Sequence, residues 1–191
     1  LVVLTILPMR THGSQTTEYD PLVIREKAEP QTLDLAVNDA DRERKIPVLI
    51  YLPRGEAAAP VVLFSHGLGG SRKGCSYLGE HWAARGYAAA FVQHPGSDDS
   101  VWRDVPRRER MRAMKEAANA ANFLRRVRDI PAVLDQLQAW NDKENHRLNG
   151  RFNLESVGIS GHSFGAVTTQ AASGQTFGWR RPFTDRRIKA A

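Results

Sequence analysis

A glycine–serine pentapeptide, Gly161-His162-Ser163-Phe164-Gly165, directly follows the apolar run Ser156-Val157-Gly158-Ile159-Ser160. Glycine at both flanks lets the chain turn sharply from a strand into a helix, which leaves the serine hydroxyl exposed at the tip of the turn. In this geometry the amide of Phe164 can point at an oxyanion. The pentapeptide alone is a common pattern, but the strand-like run before it and the helix-compatible run after it are the context that the motif requires. The pattern predicts a nucleophilic serine at position 163.

A second motif lies upstream, where the apolar run 60–65 leads into the glycine-rich loop His66-Gly67-Leu68-Gly69-Gly70. A strand followed by such a loop suits a second oxyanion donor, although for the glycines alone a simple tight turn is the alternative. We therefore interpret the amides of Leu68 and Phe164 as the two donors of an oxyanion hole. The residues expected to support the loop and the turn are His66, Gly67, Gly69, Gly161 and Gly165.

Three segments, 62–69, 86–94 and 161–165, give the chain a specific resemblance. It resembles dienelactone-hydrolase-like α/β hydrolases and, more narrowly, the platelet-activating-factor acetylhydrolase group of serine esterases. The resemblance implies the α/β-hydrolase fold, a mostly parallel sheet flanked by helices, and it assigns the oxyanion amides to Leu68 and Phe164. Dienelactone hydrolase itself has a cysteine nucleophile, whereas this chain has Ser163 in that place and its single cysteine, Cys75, elsewhere. Ester chemistry of the serine type is therefore favoured.

The order of catalytic residues in this family is serine, then an acid after the next strand, then a histidine after a later one. No histidine follows Ser163 in the chain. The stretch 185–191 resembles the lead-in to the strand whose far end bears the acid, so Asp185 is not expected to be that acid. We expect the acid and the histidine beyond Ala191, with the C-terminal strands and helices missing, and the chain as given to be nearly inert.

The other histidines are weaker candidates for the base. His162 adjoins the nucleophile, but consecutive residues of a strand point to opposite sides, so its ring is expected to face away from Ser163 Oγ. His94 ends a strand and opens the polar loop 95–100, which predicts a substrate-loop residue, with a role as the base as the alternative. The histidines expected to be solvated are His12, His81 and His146.

Length and composition fit one domain, since 191 residues of which 41% are hydrophobic can bury a core. One cysteine allows no internal disulfide, and the sequence shows neither a Cys/His metal cluster nor a Walker-type phosphate loop, so no cofactor or metal is expected.

The chain is interpreted as a leader at residues 1–17 followed by the hydrolase portion at residues 18–191. The apolar start 1–9 resembles a clipped signal peptide, which favours export over a cytoplasmic location; a short strand or disordered leader is the alternative.

The apolar pattern predicts an alternation of strands and helices, which indicates a mostly parallel sheet. The first two strands have no helix between them and are expected to pair antiparallel. Asp129 and Pro131 predict a cap and a first-turn proline that restart a helix. The predicted strands are 32–37, 46–52, 60–65, 87–93 and 156–161, and the predicted helices are 74–85, several across 107–139, and 163–173.

A basic segment, 101–128, carries much of the net charge of +6. One interpretation is a basic helical cap whose Met111, Met114 and Phe123 line an apolar acyl site; the favoured one is a solvated amphipathic helix whose apolar stripe packs on the sheet. A basic cap suits an anionic or phospholipid substrate or an anionic membrane surface, whereas nucleic acid is not expected, because aromatic residues are not interleaved and no reader motif is present. Its basic residues are Arg103, Arg107, Arg108, Arg110, Arg112, Lys115, Arg125, Arg126 and Arg128.

The motifs and the resemblance together imply a serine carboxylic-ester hydrolase that forms an acyl-enzyme on Ser163 and acts on small-molecule or lipid esters. Short-acyl phospholipids are among the substrates that the resemblance implies. A polyester esterase or general carboxylesterase is the alternative within the same chemistry. A non-catalytic binding protein of the same fold, or an inactive fragment, is the alternative outside it.

Overall fold

The computed structural model describes residues 29–176 and 183–191 of the chain. The predicted leader at 1–17 lies outside these residues, as do His12 and the residues that precede Glu29. Within the described residues no helix is both long enough and apolar enough to cross a membrane.

The described residues begin with a β-hairpin made of β1 (Gln31–Asp39) and β2 (Arg44–Leu52), paired antiparallel as predicted. Apolar side chains alternate along both strands, which buries one face of the hairpin. In the turn, the Asp39 carboxylate accepts hydrogen bonds from the backbone and side chain of Arg42. The alternation and the turn chemistry together explain why this segment forms a hairpin.

The strands that follow the hairpin are β3 (Ala59–Ser65), β4 (Ala88–Val92), β5 (Phe152–Gly161) and β6 (Ile188–Ala190). Within the described residues, six strands form one sheet in the order β1-β2-β4-β3-β5-β6. β2 pairs antiparallel with β4, whereas β4, β3, β5 and β6 pair in parallel, which confirms the predicted mostly parallel sheet. All five residues of β4 are buried, as expected for a central strand covered on both faces.

Helices flank the sheet on both faces. The described helices are α1 (Ser76–Ala84), α2 (Ser100–Arg103), α3 (Arg110–Ala117), α4 (Ala120–Asp142) and α5 (Phe164–Ser173). On one face, α1 packs against an aromatic cluster that includes Phe64 and Phe91; on the other, α4 and α5 pack against the larger apolar core. Because the strands from β4 to β6 are parallel, their carboxyl ends meet at one edge of the sheet, which is where α/β proteins place their sites.

The predicted helix restart at Asp129 and Pro131 is wrong, because α4 runs without interruption through both residues. A proline inside a helix removes one backbone hydrogen bond and costs about 3 kcal/mol. Burial of the apolar stripe of α4 against the sheet offsets that cost, and the Asp129 carboxylate binds side chains from other segments instead of capping a helix. The stripe around Pro131 comprises Ile130, Val133, Leu134 and Leu137. The helix begins instead at Asn119, whose side chain accepts a hydrogen bond from the Asn122 amide at 2.8 Å.

Candidate active site

Ser163 occupies a strained turn between β5 and α5. Its backbone has φ 54° and ψ −116°, a conformation that L-residues rarely adopt and that costs roughly 1–3 kcal/mol. Ser163 is exposed, at the carboxyl edge of the sheet. The sequence forms this turn because Gly161 and Gly165 let the backbones approach closely: a Cβ on Gly161 would lie 2.4 Å from the Gly165 oxygen, and one on Gly165 would lie 1.8 Å from the Ser65 oxygen.

The glycine-rich loop after β3 lies directly against this turn, since a Cβ on Gly67 would lie 3.4 Å from Ser163 Cβ. Within the described ranges, the amides of Leu68 and Phe164 have no hydrogen-bond acceptor. By contrast, the amides that follow them in sequence are occupied: the Gly69 amide donates to the Ser97 oxygen at 2.9 Å and the Gly165 amide to the His162 oxygen at 2.8 Å. Phe164 also begins α5, where the helix dipole favours a negative charge. The two predicted donors are therefore free to bind an anion beside Ser163.

A cleft with a volume of about 270 Å³ opens beside Ser163. The glycine-rich loop forms much of its wall, and Phe64, Leu68 and Cys75 add apolar surface. His162 is exposed and lines the same cleft. The cleft is thus small, largely apolar and bordered by the two free amides.

The segment 101–128 lies partly over the glycine-rich loop. Trp102 Nε1 donates a hydrogen bond of 2.7 Å to the Gly69 oxygen, and a Cβ on Gly69 would lie 2.6 Å from Met114 Sδ. None of the three apolar side chains suggested for an acyl site lines the cleft beside Ser163. Met111 is 69% exposed, and Phe123 packs edge-on against Phe183. Met114 instead contacts the loop from outside the cleft.

His66 is buried and holds the loop in place. Its Nε2 accepts the amide proton of His94 at 3.1 Å, so the ring proton is on Nδ1 and is donated to the Gly67 oxygen at 2.6 Å. Burial, together with the nearby positive charge of Arg126, lowers the pKa of His66 to about 4. A neutral His66 therefore supports the backbone on which Leu68 is carried.

The prediction that His94 belongs to a substrate loop is wrong, because its side chain is fully buried at the end of β4. Its Nδ1 donates to Asp129 Oδ2 at 2.9 Å, and its Nε2 accepts the hydroxyl proton of Ser65 at 3.0 Å. Burial and the charge of Arg126 lower the pKa of His94 to about 3, so the ring is neutral. With both nitrogens occupied, His94 is also unsuited to serve Ser163 as its base.

Asp129 completes this arrangement, which we call the inner Ser–His–Asp chain: Ser65, His94 and Asp129. The Asp129 carboxylate also accepts hydrogen bonds from Arg44 Nε at 2.7 Å and Arg42 Nη1 at 3.0 Å. Burial alone would raise the pKa of Asp129, but the hydrogen bonds from His94 and Arg44 outweigh it and lower the pKa below its usual value. Asp129 is therefore the ionised anchor of a buried network beneath the glycine-rich loop.

The sequence pattern groups Arg126 with the basic surface residues of segment 101–128, but this prediction is wrong because its side chain is 0% exposed. Its guanidinium donates to the hydroxyls of Ser65, Ser97 and Thr168 and to the His66 carbonyl. Burial lowers the pKa of Arg126 to about 10, so the group still carries its charge at neutral pH.

One sequence signal could have found these residues. Arg126 and Asp129 are polar residues at helical spacing with the buried apolar residues of α4, so an arginine lay in the middle of a core stripe. A charged residue in that position is buried only when its hydrogen bonds are satisfied.

Ser163 Oγ has no histidine or carboxylate partner within residues 29–176 and 183–191. Asp185 lies just before β6, at the opposite end of the parallel strands from Ser163, and its carboxylate binds Arg187 at 2.6 Å. That ion pair lowers the pKa of Asp185. The predicted nucleophile Ser163, the two unoccupied amides and the cleft thus lie together, and no base for Ser163 is found among the described residues.

Residues 51–105 match the family of platelet-activating factor acetylhydrolase, isoform II, in a region that includes the glycine-rich loop and β4. No curated protein matches the chain.

Among solved structures, the chain is similar to a ferulic acid esterase from Streptomyces cinnamoneus, with a TM-score of 0.56 and 21% identity over 84% of this chain and 56% of that protein. It is also similar to a dienelactone hydrolase from Anabaena variabilis, with a TM-score of 0.52 and 20% identity over 76% of this chain and 58% of that one. A third similar structure is an acetyl xylan esterase from Paenibacillus sp. R4, with a TM-score of 0.54 and 20% identity over 91% of this chain and 49% of that protein.

The chain therefore spans about half to three fifths of the length of these proteins. The strand order, the position of the serine turn and these similarities agree with one another. The chain has the α/β-hydrolase fold, and its residues 51–105 match the platelet-activating factor acetylhydrolase family.

Proposed function

We propose that this chain carries the nucleophile and the oxyanion hole of a serine-dependent carboxylic-ester hydrolase. The observation that carries the proposal is the backbone of Ser163, which is held in a strained conformation while its side chain is exposed beside a cleft. Strained backbone of this kind clusters at functional sites, and a serine nucleophile on a strand-to-helix turn is held in such a conformation with its hydroxyl exposed. The free amides of Leu68 and Phe164 and the similarity to esterases of the same fold support the same chemistry.

In the proposed reaction, Ser163 Oγ attacks the carbonyl carbon of the ester while a base takes the hydroxyl proton, and the carbonyl π electrons move onto oxygen. The amides of Leu68 and Phe164 donate hydrogen bonds to this oxyanion, each contributing roughly 2.7–4 kcal/mol to transition-state stabilisation. Collapse of the intermediate breaks the bond to the alcohol, which leaves with the proton from the base. Water then attacks the acyl-enzyme by the same steps, releasing a carboxylic acid and restoring the serine.

The base and the acid that orients it are proposed to follow residue 191, in the order acid, then histidine. By the resemblance, we propose that the acid follows the far end of the strand to which β6 corresponds. The coding frame beyond Ala191 tests this part of the proposal. An aspartate after the strand and a histidine in a later loop would support it, and a stop codon directly after Ala191 would contradict it.

For the substrate, we propose esters with a short acyl group, including short-acyl lipid esters. The cleft beside Ser163 is small and walled mainly by the glycine-rich loop, which leaves limited room for an acyl chain. Hydrolysis rates of p-nitrophenyl esters of increasing chain length test this: acetate and butyrate are expected to react faster than laurate. Faster hydrolysis of laurate or of a polyester film would favour the general lipid or polyester esterase instead.

Contact with an anionic membrane surface is proposed for the region of α3. Arg107, Arg108 and Arg112 are exposed there, and the apolar Met111 is exposed on the same helix. Basic residues around an exposed apolar side chain are typical of peripheral membrane contact. Co-sedimentation with phosphatidylserine vesicles, but not with phosphatidylcholine vesicles, is expected, and its loss in Arg108→Glu would locate the contact.

Labelling of the full-length protein with a fluorophosphonate, followed by peptide mapping, tests the nucleophile directly. The expected result is one label on the peptide with Ser163, absent in Ser163→Ala. Ser65 provides an internal control, since it also ends a strand at this edge of the sheet but is buried. A folded protein that takes up no label would contradict the esterase proposal and favour a non-catalytic binding protein of the same fold.

A further inference from the structure

A buried arginine lies between the two segments that carry the amide donors. Arg126 extends from α4, and its guanidinium contacts both the glycine-rich loop and the first turn of α5. The contacts on each side bear on the geometry of the site.

On the loop side, Arg126 Nη2 donates a hydrogen bond to the His66 carbonyl, two residues before Leu68. On the other side of Leu68, the Gly69 amide donates to the Ser97 oxygen at 2.9 Å, and Arg126 Nη1 donates to Ser97 Oγ at 2.9 Å. Arg126 therefore restrains the backbone before Leu68 directly and the backbone after it through Ser97.

On the helix side, Arg126 Nε donates to Thr168 Oγ1 at 3.0 Å, and the Thr168 hydroxyl donates to the Phe164 oxygen at 3.1 Å. The guanidinium carbon also lies 4.7 Å from the centroid of the Phe164 ring. The Phe164 amide is the second proposed donor. Arg126 therefore contacts the Phe164 ring directly and the Phe164 carbonyl through the Thr168 hydroxyl.

Burying this charge is expensive, because its hydrogen-bond acceptors are neutral oxygens and the carboxylates of Asp129 and Asp98 act on it only through space. An apolar residue of similar size would fill the space without that cost. A guanidinium, however, presents five donors in a rigid fork and can hold several segments in one geometry. The cost is therefore consistent with a requirement for fixed geometry rather than for packing alone.

We propose that Arg126 is a positioning residue for the oxyanion hole, which it sets by holding the loop around Leu68 and the first turn of α5 at a fixed separation. This inference rests on the proposed esterase function. Arg126 does not touch the substrate in this role; it acts through the two amides, whose alignment matters more in the transition state than in the bound ester.

The test compares Arg126→Met with Arg128→Met in the full-length protein, using p-nitrophenyl butyrate. Arg128 lies on the same helix, is exposed and serves as the matched control. Arg126→Met is expected to lower kcat by about 10²–10³, the effect of losing one oxyanion donor, with little change in KM. Arg126→Lys, which keeps the charge but not the fork, is expected to recover part of the loss.

A second measurement separates positioning from general damage to the fold. A trifluoromethyl ketone forms a tetrahedral oxyanion on the serine, whereas the matching alcohol only occupies the cleft. Arg126→Met is expected to weaken inhibition by the ketone in proportion to the fall in kcat/KM and to leave inhibition by the alcohol unchanged. Equal weakening of both inhibitors, or an Arg126→Met protein with wild-type kcat, would overturn the proposal.

If Arg126→Met does not fold, the double variant Ser97→Ala with Thr168→Val replaces it, since it removes two acceptors and leaves the arginine in place. Its kcat is expected to fall by about tenfold, the size of a lost hydrogen bond to a charged group, and an unchanged kcat would overturn the proposal.

Fluorophosphonate labelling of the wild-type protein distinguishes failure of the proposed esterase function from failure of the proposed role of Arg126. Without labelling the esterase function itself fails, whereas with labelling only the role of Arg126 is in question.

Discussion

Two serines lie at the same edge of the sheet and differ in almost every property that matters for catalysis. Ser65 ends β3 and pairs in register with Gly161 of β5, two residues before Ser163. Ser65 has a histidine and an aspartate aligned behind it by hydrogen bonds of 3.0 and 2.9 Å, but it is 0% exposed. Ser163 is exposed in a strained turn and has no such partner among the described residues.

The difference teaches that the order Ser–His–Asp is not sufficient for a catalytic triad. The Ser65 hydroxyl donates to His94 and accepts from Arg126 at 3.0 Å, and burial removes it from any substrate. Ser163 instead has the features that an attacking group needs, namely access, a neighbouring cleft and adjacent free amides. The inner chain is therefore interpreted as support for the loop, and the strained turn as the reactive position.

The largest effect is expected from exchanging the two serines in turn for alanine. In the full-length protein, Ser163→Ala is expected to reduce ester turnover by about 10⁶ and to leave a residual rate of roughly 10³–10⁴ over water from the oxyanion hole. Ser65→Ala is expected to keep covalent fluorophosphonate labelling at Ser163, because the hydroxyl it removes is buried. Steady-state kinetics and peptide mapping measure both, and labelling that depends on Ser65 but not on Ser163 would reverse the comparison.

Asp129→Asn tests whether the inner chain is structural. It removes a buried charge that pairs with His94 and two arginines, so a loss of about 3–5 kcal/mol in the free energy of unfolding is expected. Asp34→Asn is the control, since its carboxylate also pairs with an arginine, Arg72, but is 45% exposed; less than about 1 kcal/mol is expected there. Urea unfolding curves compare the two, and equal losses would contradict a special role for the inner chain.

Gly165→Ala tests the close approach between the start of α5, which follows Ser163, and Ser65 at the end of β3. The added Cβ would meet the Ser65 carbonyl oxygen at 1.8 Å, so the start of α5 must move away from β3. A loss of about 3 kcal/mol is expected. Gly158→Ala in β5 is the matched control, since its Cβ would have no neighbour closer than 3.6 Å and its stability is expected to change little. Thermal unfolding of both variants gives the measurement.

The smallest effect concerns pH. Burial lowers the pKa of His66 to about 4 and that of His94 to about 3, from 6.5. The unfolded chain therefore binds protons first as pH falls, and the folded state loses stability below pH 6.5. Between pH 6.5 and 5.5 the loss is expected to be roughly 2 kcal/mol, one half from each histidine. His94→Gln is expected to halve this pH dependence, and an unchanged slope would show that His94 is not titrating in the unfolding reaction.

The fold was largely predictable because its signals are local. The hairpin β1–β2 follows from apolar alternation with no helix between the strands, and the turn at Ser163 follows from the glycines on either side of it. The Asp129–Pro131 pair was misinterpreted because it has the local pattern of a helix start, whereas packing of the surrounding apolar residues continues the helix.

Within the site, the sequence predicted the strained serine and the two candidate amides but not the network beneath them. His94 resembles a loop residue in sequence, and its burial depends on Ser65 and Asp129, which are 29 and 35 residues away. Arg126 shares its segment with eight other basic residues, and its helical spacing with the apolar stripe of α4 is the one local sign that it is buried. Its partners in the loop and in α5 are 60 and 42 residues away. Such partnerships between distant segments leave no local pattern.

The Asp129 carboxylate also has a consequence for the order of folding. It is buried only when α4, the β1–β2 turn and the end of β4 are all in place, although Arg42 and Arg44 lie 87 and 85 residues away in sequence. A partly assembled state would leave an ionised group facing apolar surroundings, which penalises intermediates that contain only two of the three segments. The edge hairpin and the end of β4 are thus expected to exchange their amide hydrogens in one cooperative opening, rather than fraying separately.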